Sequence, residues 1–61
     1  MATTVHGKGK TEEAAKGNVT AQLQEIAKKF RIHAEDIEIL VPGHPIKHSD
    51  GMYHVWTHVR V

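Results

Sequence analysis

The C-terminal stretch GMYHVWTHVRV alternates between two sets of positions. Tyr53, Val55, Thr57, Val59 and Val61 make one set; Met52, His54, Trp56, His58 and Arg60 make the other. A period of two predicts a strand over 52–61, with the valine-rich set facing a core. The opposite set combines two histidines, the only tryptophan and an arginine.

A different period governs 11–30. Ala15, Val19, Leu23, Ile26 and Phe30 recur every three or four residues, which predicts a helix with one apolar stripe. Thr11 is placed to cap its N-terminus, Glu12 and Glu13 suit the positive end of the helix dipole, and Lys28, Lys29 and Arg31 suit the negative end. Gly17 costs about 1 kcal/mol against alanine inside a helix, so it is expected to mark close packing. Before the helix, TTVHGKGK predicts a short strand over 3–10, with Gly7 and Gly9 marking a bend or a close backbone approach. After it, IEILV predicts a strand over 37–41. PGHP then interrupts pairing, an extended path resumes at 46–48, and SDG turns the chain.

The order β-α-β-β predicts one α+β domain over 1–61, with a three-stranded antiparallel sheet packed on one helix. The last strand lies between the other two, giving the order 1-3-2. The expected core is Val5, Ala15, Val19, Leu23, Ile26, Phe30, Ile37, Ile39, Val55 and Val59. One sheet face, with Leu40, Met52 and Trp56, is left bare, and a bare apolar face predicts a partner.

Size strengthens that expectation. A chain of 61 residues buries only about 60% of its unfolded surface, and such domains are marginal alone. Cysteine is absent, which excludes disulfides and thiolate metal sites. A homo-oligomer, a bound ligand or a histidine-held metal remains. Eight basic residues face seven acidic ones, so a nucleic-acid partner is not expected. No apolar run has the length of a membrane span and the N-terminus has no apolar signal core, so the expected location is cytoplasmic, without a membrane partner. Six histidines would move the formal charge from +1 to +7 if all were protonated.

The chain resembles the dodecins, small β-α-β-β flavin-storing proteins that assemble as hollow dodecamers. GKTEEA resembles that family's strand-to-helix junction, and YHVWTHVRV its last strand, where an aromatic precedes alternating polar and apolar positions. The family's flavin-contacting glutamine corresponds to His54. Its flavin-stacking tryptophan belongs to the second strand, where this chain reads IEIL; here the tryptophan is Trp56, on the last strand. The resemblance implies an oligomer and a flavin ligand (FMN, FAD or riboflavin).

The residues themselves allow three readings of the histidine face. An indole offers a stacking plane, and imidazoles with Arg60 offer hydrogen bonds or positive charge, so His54, Trp56, His58 and Arg60 are candidate contacts for a planar, anionic small molecule. The same residue types suit a purely structural oligomer interface. A metal site is the third reading. His54 and His58 lie roughly 13 Å apart along a strand and cannot share an ion alone, so a cross-strand partner such as His6 is required. His44 and His48 have helical spacing, which Pro45 argues against. GKGKT lacks the glycine of a phosphate loop, because Thr4 stands in its place; Lys8, Lys10 and the helix N-terminus retain a weaker attraction for phosphate. No nucleophile–base–acid arrangement is apparent, so catalysis is not expected.

Overall fold

A computed structural model describes residues 1–61. Strand β1 (Ala2–Gly9) leads into helix α1 (Glu12–Phe30). A short 3-10 turn (Ala34–Asp36) precedes β2 (Glu38–Val41), β3 (Ile46–Lys47) and β4 (Tyr53–Arg60). The predicted α+β architecture, one helix against an antiparallel sheet, is what the chain adopts. The sheet has four strands rather than three. β4 lies centrally between β1 and β2, and β3 also pairs with β4. PGHP does not end the second strand; it splits it into two pieces along one edge of β4. Leu40 is the extra residue where the register shifts, since Ile39 pairs with Val59 and Val41 with His58.

Local chemistry explains the joints. The Thr11 side chain accepts a hydrogen bond from the Ala14 amide at 3.0 Å, which caps α1 as expected. Arg31 closes the other end in a left-handed conformation, φ 57°, and its amide returns to the last helical turn. At the hairpin before β4, Gly51 takes φ 82° and its amide donates to the His48 carbonyl at 3.0 Å. The His48 amide in turn donates to the Met52 carbonyl at 2.8 Å. The turn therefore needs glycine at 51 to avoid a strained backbone.

The core lies between α1 and the β1–β4 pair. Val5, Ala15, Val19, Ala27, Ile37, Val55 and Val59 are buried, with Leu23 and Ile26 half-buried beside them. Gly7 is the position of closest approach. A Cβ there would lie 2.5 Å from both the Ala15 carbonyl oxygen and Val19 Cγ2. Gly17 meets nothing within 4 Å, so its expected packing role is not seen.

Two expected core residues are exposed: Phe30 at 46% and Ile39 at 44%. Both exposures follow from how α1 lies. It packs on β1 and β4, leaving the β2 side of the sheet uncovered and its own last turn overhanging. A cleft of about 250 Å³ results, lined by Val19, Leu23, Ile39, Val55 and the prolines of the interruption. No helix is long and apolar enough to cross a membrane.

Candidate functional site

The face of the sheet turned away from α1 is set by register. Thr4 pairs with His58, His6 with Trp56, and Lys8 with His54, so these six side chains share it. β2 and β3 add Val41 opposite His58 and Ile46 opposite His54. Trp56 is 45% exposed there, and Val41 and Ile46 are also exposed.

At the hairpin end, His6 Nε2 meets His54 Nδ1 at 2.8 Å. Their ring planes differ by 10° and their centroids are 5.1 Å apart. Nearly parallel imidazoles with a nitrogen–nitrogen contact this short reach such a centroid separation only when they lie in one plane, end to end. They form one hydrogen-bonded slab rather than a face-to-face stack. On its far side, His54 Nε2 contacts Asp50 Oδ2 at 2.9 Å. Both His54 nitrogens are therefore engaged. The slab lies against Trp56, 4.7 Å from the His6 centroid and 5.8 Å from that of His54, with planes within 19° and 16° of the indole. His48 packs on the same group at a steep angle, 52° to His54 and 49° to Trp56.

Asp50 owes its place to the turn. Its Oδ1 accepts from the Met52 amide at 2.8 Å, which leaves Oδ2 facing His54. The Met52 amide first, and the His54 hydrogen bond second, hold the Asp50 carboxyl below the usual carboxylate range; the nearby imidazoles of His54 and His48 add to this when charged. An ionised carboxylate only accepts, so His54 Nε2 carries the proton between them.

The other end of the face is separate. His58 Nδ1 is 2.7 Å from Thr4 Oγ1. Arg60 reaches Glu38 at 3.5 Å, an exposed contact of little energetic weight.

The predicted residues His54, Trp56, His58 and Arg60 thus share one face, as alternation requires, in two groups. His6 does join His54 across the strands, whereas His58 pairs with Thr4. No cluster of three or more metal-ligating side chains forms. The His6 and His54 nitrogens point at one another, an arrangement that holds a proton between them instead of converging on a third point. Asp50 was not singled out from the sequence, and His48 only as a helically spaced partner of His44. The available signal for Asp50 was its place in SDG, four residues before His54 across a tight turn.

The geometry offers a flat aromatic surface, apolar neighbours on one flank and basic groups around it. Lys8, His58 and Arg60 lie on this face, and the Asp50 carboxylate is occupied by its own partners. No family model, curated protein or solved structure matches the chain.

Proposed function

We propose that the protein is a non-catalytic, homo-oligomeric binding or storage protein for a planar, flavin-like small molecule held on the open sheet face. The observation that carries this reading is Trp56, half exposed in the middle of a sheet face that no part of the chain covers. An indole packed against ordered imidazoles is a preformed stacking surface, so little side-chain entropy is lost when a flat ring settles on it. Lys8, His58 and Arg60 favour an anionic substituent, such as the phosphate of FMN. Val41 and Ile46 flank the same surface and suit contact with a second copy. The resemblance to dodecins supports a flavin and an assembly of identical chains. A tryptophan on the last strand would then do the stacking that the family assigns to the second strand.

Trp56 is the only tryptophan, so its emission reports directly on the face. Titration with FMN is expected to quench it saturably, and Trp56→Ala is expected to abolish binding measured through flavin fluorescence. Unchanged emission up to millimolar FMN contradicts the flavin assignment.

A structural assembly without ligand is the second reading, favoured by the exposed Leu40, Val41 and Ile46. In that case Trp56→Ala dissociates subunits that carried no ligand to lose.

A further inference from the structure

His54 was the expected polar contact for a planar ligand, yet both of its ring nitrogens are engaged, by His6 and by Asp50. His6 differs. Its Nε2 faces His54, while Nδ1 has no hydrogen-bond partner within the protein, and the residue is exposed.

The proton positions along this chain follow from one end. Asp50 accepts, so the proton between it and His54 sits on His54 Nε2. A neutral imidazole carries one proton, which leaves His54 Nδ1 an acceptor. His6 Nε2 must then be the donor in the 2.8 Å contact. Neutral His6 consequently presents Nδ1 as a bare lone pair. The two nitrogens of an imidazole face nearly opposite ways, so this lone pair is directed away from His54.

The ring planes add a second constraint. His6 lies within 19° of parallel to the indole. A flat ring donating in plane to His6 Nδ1 therefore lies near parallel to the indole as well, and continues the imidazole slab beyond His6. His48 cannot serve this way, because a ring donating in its plane would cut across the indole at 49°.

We infer that His6 Nδ1 is the specificity-determining contact of the open face and selects planar heterocycles bearing a ring N–H, the donor of an imide or lactam edge. Asp50 and His54 are positioning residues that fix which nitrogen of His6 is bare. This rests on the ligand-binding reading above and specifies the edge by which that ligand is recognised.

Two measurements test it separately. Long-range ¹H–¹⁵N spectra of the untagged protein at pH 8 are expected to show His6 and His54 both as Nε2–H tautomers. A proton on His6 Nδ1 overturns the inference whatever binds. The second compares lumiflavin, which has an N3–H, with its N3-methyl derivative. The methyl compound is expected to bind the native protein up to about tenfold more weakly, the effect of one hydrogen bond. His6→Phe should bind both equally, because stacking persists while the acceptor is gone. Asp50→Ala should also lose the discrimination while still binding both, which a purely structural role would not produce. Equal binding of the two compounds to the native protein overturns the inference and leaves the stacking surface standing. Binding of neither overturns the ligand reading and the inference together.

Discussion

The two faces of β4 are made from alternate residues of the same eight-residue strand, yet they are held by different physics. On the helix side, Val55, Thr57 and Val59 are buried against Val5, Ala15 and Val19. That face is stabilised by volume and burial, and its constraints are steric. On the open side, His54, Trp56 and His58 are ordered by cross-strand partners from β1 and by the turn that supplies Asp50. That face is specified by hydrogen-bond direction and ring orientation. The helix side should therefore respond to changes of size or charge with loss of the fold. The open side should respond with loss of recognition or assembly while the fold persists.

The largest expected effect is Val19→Asp. Val19 is 8% exposed, and an unpaired carboxylate has no partner there. The loss is expected to exceed about 4 kcal/mol and to leave no cooperative thermal transition in circular dichroism. A soluble, cooperatively melting variant would mean that the helix stripe is not the inner face. Gly7→Ala comes next. The added Cβ has only 2.5 Å to the Ala15 carbonyl, so β1 and α1 must separate, at a cost of about 1–3 kcal/mol by urea denaturation. A neutral result would show that the two elements have slack.

Thr57→Val probes the one buried polar side chain of β4. Thr57 Oγ1 donates to the Pro42 carbonyl at 2.7 Å and ties the interruption to the central strand. Its loss is expected to cost about 1 kcal/mol, with the largest amide shifts at Pro42–Pro45 neighbours rather than on the helix. No shift there would remove that tie from the account.

The smallest expected effect concerns pH. The folded Asp50 carboxyl titrates below its ordinary value, so its stabilising contribution is complete above the ordinary carboxylate range. That contribution is lost as pH falls through the lowered titration. An NMR titration should show the Met52 amide and the His54 ring responding together below the ordinary range. A response at or above the ordinary carboxylate value would contradict the hydrogen-bond assignment.

The same division explains what could be seen in the sequence. Alternation in YHVWTHVRV placed Trp56, His54 and His58 on one face, and spacing placed Ala15 and Val19 on the inner stripe, because both periods are fixed by backbone geometry. Phe30 and Ile39 kept the right period and still fell outside the core, since periodicity gives the face of an element and not how far its neighbour extends. Ala27, outside the expected stripe, is buried, while its neighbour Ile26 is only half-buried. The His6–His54 bond depends on a register between strands 48 positions apart, and Asp50 on one turn geometry; neither has a periodic trace.

The proposed assembly places a second copy and a flat ligand over the open face. Native mass spectrometry of the untagged protein as purified tests it most directly. A defined oligomer carrying extra mass that is lost together with bound chromophore is the predicted result. A clean monomer, with Trp56 accessible to soluble quenchers and no added mass, would contradict it.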